Sequence, residues 1–366
     1  MRFSLTKVLW SVVLLCTCLL FGSLLYLGNL YTNNIEIVCK NEESHEPKNA
    51  AQTRPIQGSI DRQVHLIIIA RWRYGSSFTG DIFNNNHDFS YFYEPLRGKQ
   101  YKADVEKVRN RVINESQITM LHDILKCEFT DKKYTWWDDE DTNMNCWRSR
   151  KFEASVLCKN SKPSRRVRRN ETSRMVEEIC RSGKHVAIKT VRVPDLKYLK
   201  SIVMDDSLNV KVIQLVRDPR RVYLSRKPID FPDMELSECD ELKNNLKYWK
   251  DPPSWLNDRY MLLRYEDLRD EPIEMVQIIY DFLGLLAPEH IKTWLLLNEY
   301  SRRTKIKKLN YDEMVHVQEY CMETLLMMGY KAMNSTTRYQ RDLNTSIGLK
   351  VKLSYPLMPN MTFKQK

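Results

Sequence analysis

No G-x-x-x-x-G-K-[ST] run occurs among the ten glycines of this 366-residue chain, which excludes an ordinary nucleotide-hydrolysing P-loop. No two cysteines stand at C-x-x-C spacing, so a zinc knuckle or a thioredoxin-type redox pair is excluded as well. There is no internal repeat, and hence no solenoid or propeller. The acidic run Trp136-Trp137-Asp138-Asp139-Glu140-Asp141 lacks the regular ligand spacing of a calcium loop and reads as an exposed acidic loop. The chain offers no convincing metal site. Acidic residues are in deficit, 47 against 58 Lys and Arg, for a formal net charge of +11. Such a balance points to polyanions or anionic small molecules as partners.

Only one long apolar run is present, from Val8 to Gly28, behind Arg2 and Lys7. About 20 apolar residues span a bilayer, and the positive flank lies on the N-terminal side. We therefore expect residues 1–7 to be a cytosolic tail and 8–28 an uncleaved type II signal-anchor, with a cleaved signal peptide as the alternative. The remainder is then lumenal, where nucleic acid is scarce, so nucleic acid is set aside as the anionic partner. Sequons at Asn114, Asn170, Asn334, Asn344 and Asn360 agree with that topology. So do the seven cysteines beyond the anchor, most of which an oxidising compartment would pair, leaving one over. Residues 29–62 are polar and aperiodic and read as a stem, and 333–366 as a polar, glycosylated C-terminal tail. The basic run Arg165-Arg166-Val167-Arg168-Arg169 reads as a solvated loop, with a polyanion contact or a Golgi protease site left open.

Between these lies a globular domain, 63–332. Its short apolar runs are spaced widely enough for intervening helices, which predicts an α/β fold with a parallel sheet flanked by helices. The strand candidates are His65–Ala70, Val186–Val193, Val210–Val216 and Tyr260–Arg264. Helices are predicted from Ile273 to Leu283, stopped by Gly284, and from Tyr311 to Met328, stopped by Gly329.

Two stretches carry chemistry. The first, Arg71-Trp72-Arg73-Tyr74-Gly75-Ser76-Ser77-Phe78, follows the strand candidate at His65 and precedes a helical segment reaching Phe83. A strand turning into a helix presents backbone N–H groups and the positive end of the helix dipole to an anion. Gly75 permits the turn, Ser76 and Ser77 supply hydroxyls and an expected N-cap, and Arg73 adds fixed charge. The second stretch is Arg217-Asp218-Pro219-Arg220, at the end of the strand candidate Val210–Val216, with Ser225 eight residues after Arg217. A guanidinium and a hydroxyl so arranged can hold one phosphate. A plain strand-to-helix turn, with Asp218 as cap and Arg220 and Arg221 solvated, is the competing reading.

Together the two stretches resemble the 5′-phosphosulfate loop and the 3′-phosphate site of sulfotransferases that use 3′-phosphoadenosine 5′-phosphosulfate (PAPS). More narrowly, the chain resembles Golgi carbohydrate sulfotransferases of the galactose/N-acetylgalactosamine/N-acetylglucosamine 6-O-sulfotransferase family. The resemblance extends through Tyr91-Phe92-Tyr93-Glu94-Pro95-Leu96, Ala187-Ile188-Lys189-Thr190-Val191-Arg192, Leu263-Arg264-Tyr265-Glu266-Asp267-Leu268 with Glu271-Pro272, and Val317-Gln318-Glu319-Tyr320-Cys321 with Gly329-Tyr330. It covers roughly residues 64 to 331, and the type II anchor is likewise what the family shows. Two departures stand out. Tyr74 replaces the serine of the family's usual Arg-Ser-Gly-Ser-Ser-Phe, and Leu96-Arg97-Gly98 replaces the aromatic residue and histidine that many members carry after Glu-Pro.

The resemblance implies a P-loop-like sulfotransferase fold and a reaction that moves a sulfuryl group from PAPS, without a metal, to a sugar hydroxyl. The acceptor it implies is the 6-hydroxyl of galactose, N-acetylgalactosamine or N-acetylglucosamine in glycosaminoglycan or glycoprotein glycans. It assigns Arg73, Tyr74, Gly75, Ser76, Ser77 and Phe78 to the 5′-phosphosulfate, with Arg73 also serving catalysis. It assigns Arg217 and Ser225 to the 3′-phosphate. Glu94 is the candidate general base, with a structural carboxylate paired to an arginine as the alternative. Lys189 and Arg192 are candidate contacts to the sulfonate or to an acidic acceptor, or else salt-bridge partners. Glu266 and Asp267 read as structural. A homodimer is compatible with the sequence. Open alternatives are another acceptor, namely a different hydroxyl, an amino sugar or a protein tyrosine, and a glycan-binding relative without catalysis.

Overall fold

The computed structural model describes residues 62–96, 113–129, 146, 148–159, 169–226, 237–303 and 311–332. The expected anchor, the stem up to residue 61, the acidic run at Trp136, the basic run up to Arg168, the segment Arg97-Gly98 and the sequons Asn334, Asn344 and Asn360 lie outside the described residues, as does the side chain of Asn170. Among the described residues no helix is long and apolar enough to cross a membrane.

Five strands form one sheet: β1 His65–Ile69, β2 Phe89–Tyr93, β3 His185–Thr190, β4 Val210–Val216 and β5 Tyr260–Arg264. Their order is β2-β3-β1-β4-β5, and every neighbouring pair is parallel. All five residues of β1 are buried, as are all six of β3. Near-continuous burial is what a parallel sheet covered on both faces demands, and it explains why these strands read as apolar runs instead of alternating. The central strand β1 pairs with β3 on one side and β4 on the other, through Ile69↔Thr190 and Ile69↔Gln214.

The longer helices are α1 Ser76–Asn84, α2 Glu115–Lys126, α3 Arg169–Arg181, α4 Pro219–Arg226, α5 Ser237–Lys250, α6 Tyr265–Asp270, α7 Pro272–Leu283, α8 Glu289–Arg303, α9 Tyr311–Tyr320 and α10 Met322–Met327. Asn114 closes a capping box on α2, accepting from the Gln117 N–H while Gln117 returns a bond to the Asn114 N–H. That fixes the helix start within one residue of the sequon. The apolar face of α7 (Met275, Val276, Ile279, Tyr280, Leu283) is buried, and Gly284 ends the helix at φ 72°, the left-handed C-terminal stop expected of it.

The structure departs from the sequence expectations at four places. β2, a strand-like aromatic run ahead of Glu94, is not among the four strand candidates. β3 ends at Thr190 instead of Val193, because the Val191 N–H turns to the Glu94 carboxylate at 3.3 Å and leaves the ladder. The helix expected over Tyr311–Met328 is two, α9 and α10, parted at Cys321, whose sulfur is bonded to Cys239 of α5. The N-cap of α1 is Gly75, not a serine, so Ser76 and Ser77 open the helix itself and no side chain caps it. Six of the seven cysteines beyond the expected anchor are paired: Cys127–Cys180, Cys146–Cys158 and Cys239–Cys321.

Candidate functional site

Ligands of open parallel sheets bind outside the carboxyl ends of the strands, where neighbouring connections leave in opposite directions. Here β1 leads through α1 to β2, two places away, and β4 leads through α4 and α5 to β5 on the other side. A cavity of about 450 Å³ lies at that end, within the range of small-molecule sites. The loop after β1 contributes Trp72, Arg73, Gly75, Ser76, Ser77 and Phe78 to its lining. Tyr93 and Glu94 come from the end of β2, Lys189, Val191 and Arg192 from β3, Arg217 and Ser225 from β4 and α4, and Tyr265 from the start of α6. All the cofactor and catalytic residues expected from the sequence thus converge, with one exception, Tyr74.

The two anion-binding stretches are joined directly. Arg73 Nε donates to Ser225 Oγ at 2.9 Å, and Arg217 Nη1 donates to the Arg73 carbonyl at 2.6 Å. The strand pairing of β1 with β4 makes this possible across 144 residues of sequence. Arg73 and Gly75 both adopt positive φ, 68° and 89°. For arginine that conformation is strained, and such strain persists only where surrounding contacts hold it. At position 75 glycine is required twice over, since a Cβ there would overlap the Tyr265 ring. The first amides of α1 have no partner within the helix and remain available to an anion. Because Gly75 does the capping, the serine hydroxyls are not consumed by it. Ser77 Oγ stands 3.4 Å from the Tyr93 hydroxyl.

Tyr74 was expected in this cradle, and its side chain is not there. It is 1% exposed, at a small void shared with Leu215, Leu242 and Asn245. Burial pushes its phenol well above the usual range. The hydroxyl has no hydrogen-bond partner among the described residues, while its N–H donates to Arg71 O at 3.3 Å. The large apolar ring accounts for the burial. What Tyr74 contributes to the cradle is the turn of its backbone.

Glu94 also sits at positive φ, 49°, and its carboxylate is buried. It accepts from Lys189 Nζ at 2.6 Å, from Arg192 Nη1 at 2.9 Å and from the Val191 N–H. The β2–β3 register, which sets Tyr93 opposite Lys189, places these groups together. Lys189 and Arg192 are therefore salt-bridge partners of Glu94 as well as cavity residues. Among the described residues that line the cavity, Glu94 is the one carboxylate. The Lys189 ammonium also lies 4.1 Å from the centre of the Tyr93 ring.

The turn after β4 resolves in an unexpected way. Asp218 does accept the Arg220 N–H at 2.9 Å, as a cap would. Arg220 and Arg221, however, are buried, not solvated. Arg220 is held by Asp218, by Gln318 at 2.6 Å and by the Lys331 carbonyl at 2.9 Å. Glu266 accepts from the Asp218 N–H at 3.3 Å and from the Tyr330 hydroxyl at 2.6 Å, and Asp267 pairs with Arg264. Glu266 and Asp267 are engaged in these contacts and neither lines the cavity. The distant motif residues of the C-terminal half form one polar core beneath α4.

Four lining residues stood in the quoted motifs without an assigned role: Trp72, Tyr93, Val191 and Tyr265. Tyr265 is the most consequential, since it packs against Gly75 and carries the Arg217 guanidinium 4.7 Å over its ring. Its position just past β5, at the carboxyl edge of the sheet, is the signal that could have found it. Among the described residues no group of three or more His, Cys, Asp or Glu is placed to hold a metal ion.

Residues 66–289 match the profile of the sulfotransferase family, more than half of the chain. Carbohydrate sulfotransferase 1 of Mus musculus is 30% identical over 344 residues, covering 76% of this chain and 82% of that protein. Carbohydrate sulfotransferase 3 of Tetronarce californica is 27% identical, covering 74% and 70%. Among solved structures, the sulfotransferase domain of the Synechococcus PCC 7002 olefin synthase aligns with 16% identity and a TM-score of 0.36, over 78% of this chain and 94% of that one. That last likeness is too low to add to the fold described above.

Proposed function

This chain belongs to the sulfotransferase family and is a transferase, and from that premise we propose that it moves a sulfuryl group from PAPS to a sugar hydroxyl, the 6-hydroxyl of galactose, N-acetylgalactosamine or N-acetylglucosamine in a glycan. The single observation that carries the reading is the junction of the two anion-binding stretches, Arg73 to Ser225 and Arg217 to the Arg73 carbonyl, at the floor of one cavity. PAPS, when bound, supplies the sulfuryl group and the bridging phosphate oxygen from which it departs.

The residues fit that donor. At Gly75 the backbone packs against the Tyr265 ring with no room for a side chain, and the amides and hydroxyls of Ser76 and Ser77 with the Arg73 guanidinium form a donor-rich cradle for the 5′-phosphosulfate. Phe78 adds an apolar wall. Arg217 and Ser225 hold the 3′-phosphate and so distinguish PAPS from nucleotides without one. As the bond from sulfur to the bridging oxygen breaks, charge grows on that oxygen, and Arg73 stabilises it. The acceptor hydroxyl forms the new bond to sulfur, and its proton passes to Glu94, the carboxylate within the cavity. Lys189 and Arg192 fix that carboxylate and present positive charge to the sulfonate or to an acidic acceptor. No metal enters the scheme.

The wider setting follows from the sequence: a Golgi membrane protein of type II topology with a lumenal catalytic domain, a glycan acceptor and glycans on the five sequons. The Asn114 cap uses the carboxamide oxygen, whereas an N-linked glycan attaches through the nitrogen, so cap and glycan are compatible at that site. The departure at Tyr74 is compatible with this reading, because its ring lies outside the cradle.

The test is calorimetric titration of the desulfated product, 3′-phosphoadenosine 5′-phosphate (PAP), into the purified full chain and its Arg217→Ala variant. We expect binding by the first and loss of at least about 10-fold in affinity by the second, since a charged hydrogen bond to phosphate is removed. Equal binding by both would sink the assignment of the 3′-phosphate site.

A further inference from the structure

We infer that Arg226 and Glu238, neither of which lines the cavity, are positioning residues that hold the donor-binding loop in its strained shape. The inference rests on the reading of that loop as the PAPS cradle. Arg226 is the last residue of α4, and its side chain is 4% exposed. Nη1 donates to Glu238 Oε1 at 2.8 Å and Nη2 to Glu238 Oε2 at 3.0 Å. The same Nη2 donates to the Trp72 carbonyl at 2.9 Å.

Trp72 immediately precedes Arg73, whose φ of 68° is the strained element of the loop. The carbonyls of Trp72 and Arg73 are thus each taken by an arginine of the β4–α4 segment, Arg226 and Arg217. A carbonyl held by a guanidinium is not free to turn toward a bound anion, which it would repel. The pair therefore keeps the negative ends of two peptide dipoles out of a cradle that must present only donors. Glu238 sets the plane of the Arg226 fork through its bidentate contact.

The post on which this hangs is α5. Cys239, next to Glu238, is bonded to Cys321, and its carbonyl accepts from Thr324 Oγ1 at 3.0 Å. One turn further, Glu241 pairs with Arg71, on the other side of Trp72. Stability alone gives no reason for a largely buried ion pair, because the desolvation of two charges offsets most of their attraction. Register of the loop does.

The experiment uses PAP affinity by calorimetry and thermal melting in parallel, on the full chain with Glu238→Gln, Arg226→Lys and the charge-exchanged double variant Arg226→Glu/Glu238→Arg. We expect Glu238→Gln and Arg226→Lys to weaken PAP by about 10-fold or more and to raise KM for the donor but not for the acceptor. The exchange restores an ion pair and the melting temperature, yet PAP affinity stays low, because a glutamate at 226 cannot donate to the Trp72 carbonyl. The inference is overturned if both single variants bind PAP within about twofold of the unaltered chain. It is equally overturned if the exchange restores affinity together with melting temperature, which would make the pair a stabilising contact only. If the exchanged chain does not fold, the single variants decide. No PAP binding by the unaltered chain would overturn the donor-site reading itself, a result distinct from either of these.

Discussion

At the scale of single residues, the site is built on conformations that side chains ordinarily avoid. Arg73, Gly75 and Glu94 all have positive φ, and each lines the cavity. At Arg73 and Glu94 such a conformation costs on the order of 1–3 kcal/mol each and has to be held by neighbours, whereas glycine adopts it freely. At Gly75 the neighbour is Tyr265, so Gly75→Ala meets both an unfavourable φ and the tyrosine ring. We expect that variant to melt at a lower temperature and to lose PAP affinity by at least about 10-fold, because the loop must shift to admit the methyl group. Glu94 presents a different case. It is both the cavity's carboxylate and the partner of two cations, so a drop in activity alone would not identify its role. Glu94→Gln should lower kcat by about 100-fold or more if the carboxylate takes the acceptor proton, while PAP binds as before. Were Glu94 only a brace for Lys189 and Arg192, the same variant would weaken PAP binding and leave kcat within a few-fold, as titration and rate measurements on one sample would reveal.

Among the elements, each parallel strand delivers one part of the site at its carboxyl end, and the pairing register decides which parts meet. That register is why Lys189 reaches Glu94 and why Arg217 reaches Arg73. The helix α4 is held from below by a polar core in which Tyr330 satisfies Glu266 and Glu266 satisfies the Asp218 N–H. Tyr330→Phe removes the hydroxyl and leaves a buried carboxylate oxygen without that donor. We expect it to cost about 1–3 kcal/mol of stability in a urea titration. β1 and β5 were legible in the sequence because burial on both faces writes them as nearly continuous apolar runs, and β4 because its branched apolar residues dominate despite Lys211 and Gln214. β2 is missing from the strand candidates because Ser90 leaves only a short aromatic run, strand-like but brief, ahead of Glu94. The two strand-to-helix turns were legible because Gly75 with two serines follows one apolar run and Pro219 ends another. Their juxtaposition with Tyr265, the burial of Arg220 and the break at Cys321 were not legible. Each depends on a contact across many tens of residues that no local pattern records.

The molecule as a whole is a basic chain whose described residues form a disulfide-bonded domain built around one parallel sheet. Its stability should depend on acidity in a direction set by His65, which is 4% exposed and accepts the Asn209 N–H at 3.2 Å on Nδ1. Burial holds its pKa down to about 4, from 6.5. Between those values the unfolded chain binds the proton and the folded chain does not, so stability falls as pH drops from 6.5 towards 4. The full contribution of that one group is about 3 kcal/mol. Chemical denaturation across that range should show the decline, and His65→Asn should flatten it; an unchanged slope in the variant would assign the decline to other groups. The central claim is that this fold joins its two anion loops to use PAPS on a glycan. The most direct measurement is transfer of radiolabelled sulfate from PAPS by the purified full chain to a panel of glycans, followed by linkage analysis of the product. The account predicts label on the 6-hydroxyl of a galactose or amino-sugar acceptor, lost in Arg217→Ala and Ser225→Ala. Label undiminished in both variants, or a chain that binds PAP and labels no glycan of the panel, would contradict it.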